Sequence, residues 1–219
     1  MNNKIDIVIK KIKDNNSIIG IAIVGSYQKE DDYNDIDFLV VSNNIKETKT
    51  HINKVFKDYK KYYNDDSIRI TDYLDREISF GMYNDKNITK RINNYLNGKD
   101  LEPIYKNWNI VGWLPECLLY DLNRMTILYE KNQFLTKIKD KITNYPSKMQ
   151  QAIVKICDDK INNLSKHRKF GKLEKKITES EVLSLKIRRA FAMKKEYFNG
   201  YKRIDEKISD SKVDIDEWN

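Results

Sequence analysis

Two aspartates one residue apart, Asp35 and Asp37, follow a Gly-Ser pair, Gly25 and Ser26, that ends an apolar run. Alternate residues of a strand share a face. On an extended chain Asp35 and Asp37 therefore point one way, and Ile36 and Phe38 the other. Two carboxylates packed side by side repel each other unless a cation lies between them. Hard divalent ions such as Mg²⁺ take such oxygen ligands. Gly25 allows a tight turn and a close approach of backbone to ligand. Ser26 adds a hydroxyl and a backbone N–H, and N–H groups at such turns suit phosphate. A phosphate cradle beside a two-carboxylate cation site is the equipment of metal-assisted phosphoryl transfer.

Two further acids, Glu77 and Asp72, stand on later strand-like stretches. Glu77 opens an alternating stretch in which Glu77, Ser79, Gly81 and Tyr83 share one face, while Ile78, Phe80 and Met82 share the other. Asp72 keeps apolar company, with Ile68, Ile70 and Leu74 on its face. The polar company favours Glu77, with Asp72 as the alternative. Asp-x-Asp on its own is common and reads as a solvated strand end. Here the preceding strand, the Gly-Ser turn and the following strand outweigh that reading.

The elements that must position these groups are legible in the hydrophobic periodicity. Ile5, Val8, Ile9 and Ile12 predict an amphipathic helix over residues 3–14. Residues 18–24 are apolar and rich in β-branched side chains, as in a buried strand, and residues 36–41 form a second such run. Residues 45–62 read as a helix. Residues 67–74 and 77–83 alternate as strands do, with Asp75 and Arg76 as a tight turn between them. A short helix over 87–97 closes on Gly98, a natural C-cap. Beyond Gly98 strand-like alternation disappears, and residues 115–129, 132–143, 147–166 and 179–197 carry helical periodicity. Pro115 and Pro146 stand where helices would begin. The expected class is α+β: an N-terminal mixed sheet with flanking helices over residues 1–98, and a helical bundle over 99–219.

The order strand, Gly-Ser, short polar loop and Asp-x-Asp on the next strand resembles the polymerase-β-type (minimal) nucleotidyltransferase superfamily. The resemblance covers roughly the first hundred residues. Eight residues, 27–34, join Ser26 to Asp35 with no glycine among them. Many minimal members have about ten residues and a second glycine there. Residues 113–116 (Trp-Leu-Pro-Glu) and 197–203 (Tyr-Phe-Asn-Gly-Tyr-Lys-Arg) are similar to segments of bacterial members with an added helical domain, a group that includes antibiotic nucleotidyltransferases.

The resemblance implies a metal-dependent enzyme that moves a nucleoside monophosphate from a nucleoside triphosphate to an acceptor hydroxyl and releases pyrophosphate. It implies two Mg²⁺ ions, Asp35 and Asp37 as metal ligands, and Glu77 as third ligand and base. Gly25 and Ser26 would contact the triphosphate, with Lys202 and Arg203 reaching it from the helical part; a capping turn with solvated charges is the plainer reading of that last pair. The expected acceptor is a small molecule such as an aminoglycoside or lincosamide, with Glu102, Glu116 and Asp121 as acidic groups for a cationic one. Trp108 and Trp113 would line the acceptor pocket or pack in the core. The alternative on the same scaffold is a toxin–antitoxin-type component that nucleotidylates protein or RNA, or a non-catalytic regulatory member.

Composition narrows the partners. The net charge is +8, from 41 Lys and Arg against 33 Asp and Glu. The basic residues are scattered over many helix faces, and no recognised nucleic-acid module interleaves them with aromatics. Abundant Lys, Asn and Ile together suit an A/T-rich coding sequence, so the charge identifies no partner. Cys117 and Cys157 make no metal-ligand or disulfide pattern, and His51 and His167 read as solvated helix residues. No uninterrupted apolar stretch of signal-peptide or membrane-span length occurs, which predicts a cytoplasmic protein. The oligomeric state is left open.

Overall fold

The computed structural model describes residues 3–25, 35–64, 67–73, 76–102, 114–166, 171–198, 200, 204 and 208–209. The chain forms two compact units, one of Met1–Lys90 with Asp121–Lys141, the other of Arg91–Tyr120 with Ile142–Asn219.

The first unit is built on a six-stranded mixed sheet. Its strands are β1 (Ile18–Val24), β2 (Asp35–Ser42), β3 (Lys61–Asn64), β4 (Ser67–Tyr73), β5 (Arg76–Asn84) and β6 (Thr126–Glu130), in spatial order β3-β4-β5-β2-β1-β6. The central pair β2 and β5 is parallel, and every other pairing is antiparallel. Helices α1 (Asn3–Ile12) and α2 (Ile45–Val55) bring their apolar stripes to one core cluster with this sheet. Ile5, Val8, Ile9 and Ile12 of α1 and Ile52 of α2 are buried there with Ile21, Ile23, Ile36, Phe38, Val40, Ile68, Ile70, Ile78, Phe80 and Met82. The Phe38 and Phe80 rings stack at 5.3 Å across β2 and β5. One register therefore sends the even-numbered residues of β2 and β5 into the core and leaves Asp35, Asp37, Glu77 and Ser79 on the opposite face.

Two local devices hold β2 and its exit. The Asn44 side chain caps α2 by accepting the Glu47 N–H at 3.2 Å. The buried hydroxyls of Ser42 and Thr48 bond at 2.7 Å. The β1 end of the site face is covered too: a Cβ on Gly20 would meet the Leu135 side chain of α5 (Phe134–Ile142) at 2.7 Å, so a larger residue there would have to push that side chain aside.

After the sheet's β5, α3 (Asp85–Leu96), which begins in the first unit and ends in the second, closes as expected at Gly98, where φ is +74° and the Lys99 N–H reaches the Asn94 carbonyl at 2.8 Å. Pro115 opens α4 (Pro115–Arg124), and Pro146 immediately precedes α6 (Ser147–Lys166). The long helices α6 and α7 (Lys172–Met193) give the C-terminal region its helical character, as the periodicity predicts. Leu114, Cys117, Ile187, Ala190, Phe191 and Phe198 form a separate core cluster.

Three elements depart from the periodicity. The helix expected over 45–62 stops at Val55, and residues 61–64 pair with β4 instead. The helix expected over 115–129 stops at Arg124, and residues 126–130 pair with β1. Residues 61–64 take their hydrogen-bond partners from the next strand, which begins at Ser67, and residues 126–130 take theirs from β1, more than a hundred positions away; helical periodicity encodes neither pairing. Helix α7 begins seven residues before the expected 179, capped by Glu174, whose carboxylate accepts the Gly171 N–H at 2.9 Å. Its first turns leave Leu173 and Ile177 exposed, so no buried stripe announces them. Among the described residues no helix is long and apolar enough to cross a membrane.

Candidate active site

The chain leaves β1 at Val24, which lies opposite Asp37. Gly25 then takes φ +77°, a left-handed conformation that side chains strain against. A Cβ built on Gly25 would sit 2.7 Å from Oδ2 of Asp37. The turn thus passes directly over the second carboxylate, a close approach that glycine permits. Ser26 lies outside the described residues, as do Lys202, Arg203, Trp108 and Trp113.

Asp35 and Asp37 are both half-buried and share the face opposite the core, while Ile36 and Phe38 are buried beneath them. The parallel register sets Asp35 opposite Glu77 and Asp37 opposite Ser79. Burial is the largest influence on Asp37, and together with the neighbouring Asp35 charge it pushes the carboxyl up to about 6. Arg69 and the Ser79 hydroxyl, which donates to Asp37, pull it back down, and Glu77 adds a smaller upward push.

Glu77 is a member of the same face but is engaged elsewhere. Its Oε1 lies 3.1 Å from Nε of Arg69 on β4, in a pair open to water on both sides. Among the described residues no three His, Cys, Asp or Glu side chains are grouped to hold a metal ion. The groups that could offer oxygens to a hard divalent cation are Asp35 and Asp37, on one face of β2, where burial and the Asp35 charge raise the Asp37 carboxyl. Asp72 lies in β4 between Ile70 and Tyr73, where the register with β5 shifts, and its side chain is outside the described residues.

Arg69 was not singled out by the sequence reading. The signal was present: alternation along residues 67–73 places it on the face opposite Ile68 and Ile70.

The acidic groups considered for the acceptor are differently disposed. Glu116 is only 1% exposed, so it is not open to a ligand. It forms a buried two-point pair with Arg188, Nε to Oε1 at 2.5 Å and Nη2 to Oε2 at 3.1 Å, and Nη2 also donates to the Leu101 carbonyl at 2.8 Å. A carboxylate facing a guanidinium in an apolar interior has no spare charge to offer. Glu102 is exposed and pairs with Lys160 at 2.9 Å. Both cysteines are buried and neither is in a disulfide, and burial pushes the Cys157 thiol up to about 11, as suits an inert thiol.

No family model matches the chain, and no curated protein matches it. Among solved structures, it is similar to a nucleotidyltransferase-like protein from Exiguobacterium sibiricum, at 15% identity and a TM-score of 0.44. That likeness covers 95% of this chain but 62% of the other, so this chain spans less than two thirds of that protein's length. It is also similar to a spectinomycin adenyltransferase from Enterococcus faecialis solved with ATP and spectinomycin, at 17% identity and a TM-score of 0.37, over 98% and 95% of the two chains. At such identities and TM-scores neither likeness assigns this chain an activity.

Proposed function

We propose that the chain transfers a nucleoside monophosphate from a nucleoside triphosphate to an acceptor hydroxyl. The observation that supports this reading best is the pair Asp35 and Asp37 on one half-buried sheet face, with the Gly25 turn passing against Asp37. In the reaction the acceptor oxygen bonds to the α-phosphorus. The bond from that phosphorus to the bridging oxygen breaks, and pyrophosphate leaves with the electron pair. The hydroxyl proton passes to a base.

Asp35 and Asp37 would hold Mg²⁺, which when bound supplies charge stabilisation to the phosphates. Glu77, opposite Asp35, is the first choice for third ligand and proton acceptor, with Asp72 second. The turn from Gly25 into Ser26 would cradle the terminal phosphates, with Lys202 and Arg203 as further cations for them. The acceptor is a small molecule: the basic residues are spread along the sequence, and no recognised nucleic-acid module interleaves them with aromatics.

The test is incubation with labelled ATP or GTP, Mg²⁺ and separate panels of hydroxylated small molecules, total RNA and cell extract. A labelled small-molecule adduct, lost in Asp35→Asn/Asp37→Asn, is the expected result. Label in RNA or in a specific protein would replace the acceptor class while keeping the chemistry. No label in any panel, with no magnesium-dependent triphosphate binding, would remove the enzymatic reading.

A further inference from the structure

The face that carries the two aspartates continues across the sheet without interruption. In register it runs Asp37 on β2, Ser79 on β5, Arg69 on β4. Glu77 is flanked by Asp35 on the β2 side and by Arg69 diagonally on the β4 side. Its carboxylate is taken by Arg69, at 3.1 Å. The arginine is 52% exposed and Glu77 30%, so water reaches both and the pair is cheap to open. A guanidinium in this place does what a divalent cation would do: it offsets the repulsion among Asp35, Asp37 and Glu77.

We propose that Arg69 is a resident counter-cation of this carboxylate site, holding Glu77 to the β4 side until a divalent cation displaces it and Glu77 joins Asp35 and Asp37. Arg69 is a positioning residue here, acting on the reaction through Glu77. The proposal rests on the nucleotidyl-transfer reading only in taking Asp35 and Asp37 as cation ligands. It makes cation binding a competition, because each ion that recruits Glu77 must first release Arg69. A released arginine, still on the same face, is then free to meet the negative charge that a triphosphate brings.

The probe is Mn²⁺, titrated into the full chain and followed by the electron paramagnetic resonance signal of the free ion, so that binding is read without turnover. Arg69→Gln is expected to tighten Mn²⁺ binding about fivefold, the worth of a half-exposed ion pair. In a Glu77→Gln background the same substitution should change the affinity little, since the coupling between the two residues is what a double-mutant cycle isolates. Arg69→Lys keeps the charge but loses the Nε contact, and should tighten binding by a smaller factor. Unchanged or weaker Mn²⁺ binding in Arg69→Gln would overturn the proposal. So would an equal gain in the Glu77→Gln background, which would mark a plain field effect on the aspartates. Circular dichroism without metal checks that each variant folds, and should Arg69→Gln fail, Arg69→Lys decides alone. Equal Mn²⁺ binding by wild type and Asp35→Asn/Asp37→Asn would instead overturn the functional reading, and this proposal with it.

Discussion

The Cβ position of Gly25 lies 2.7 Å from Oδ2 of Asp37, in a residue whose φ is +77°. Gly25→Ala therefore meets two obstacles at once. A left-handed alanine costs about 1–2 kcal/mol, and the added methyl displaces the Asp37 carboxylate. The expected result is a lower melting temperature together with a loss of turnover larger than the stability change explains. Thermal unfolding and nucleotidyl transfer measured on the same preparation check it. Full activity in Gly25→Ala would show that the turn does not shape the site.

Asp37 makes stability pH-dependent in a defined direction. Its carboxyl is raised from 3.8 to about 6 in the folded chain by burial first and by Asp35 next, with Arg69, Ser79 and Glu77 also facing it. The folded state binds this proton more tightly than the unfolded state. The contribution to stability is therefore fully present below pH 4 and is lost as pH rises through 6. By linkage the loss is on the order of 2–3 kcal/mol at pH 7. Asp37→Asn should remove that loss, unfolding at higher urea than wild type at pH 7 while lacking magnesium-dependent turnover. Urea titrations at pH 4.5 and pH 7.5 should show the gap between the two proteins widening with pH. A constant gap would contradict the burial argument.

The third carboxylate is separable by kinetics. Glu77→Gln is expected to lower kcat by at least about 100-fold, the scale of losing a base or a metal ligand. Asp72→Asn should cost far less. Glu77 stands in register with Asp35, whereas Asp72 lies where the β4–β5 register shifts. The reverse ranking would place Asp72 in the site.

The buried pair in the helical unit is structural. Glu116 and Arg188 are 1% and 3% exposed, and Arg188 also holds the Leu101 carbonyl. Removing one partner strands a charge in an apolar interior, at a cost of about 3–5 kcal/mol. Glu116→Ala and Arg188→Ala should each lower the urea midpoint strongly, whereas Glu102→Ala, whose exposed pair with Lys160 is solvated, should shift it little. Equal shifts for the buried and exposed pairs would refute this assignment.

What the sequence by itself determined is what depends on near neighbours along the chain. Alternation along residues 35–42 put Asp35 and Asp37 on one face and Ile36 and Phe38 in the core, because a strand's side-chain period is two whatever it pairs with. The amphipathic stripe of α1, the Gly98 cap and the Pro115 helix start were legible for the same reason. Tertiary structure alone decided which strands meet. Pairing of β6 with β1 joins residues more than a hundred positions apart, and a five-residue run reading Thr-Ile-Leu-Tyr-Glu does not state whether it will propagate a helix or complete a sheet. The parallel register of β2 and β5 likewise set Glu77 opposite Asp35, and the β4–β5 register brought Arg69 to it. The sequence offered Glu77 as a carboxylate; its ion pair with Arg69 arises only when two strands align, since the energy of a charge depends on what the fold places beside it.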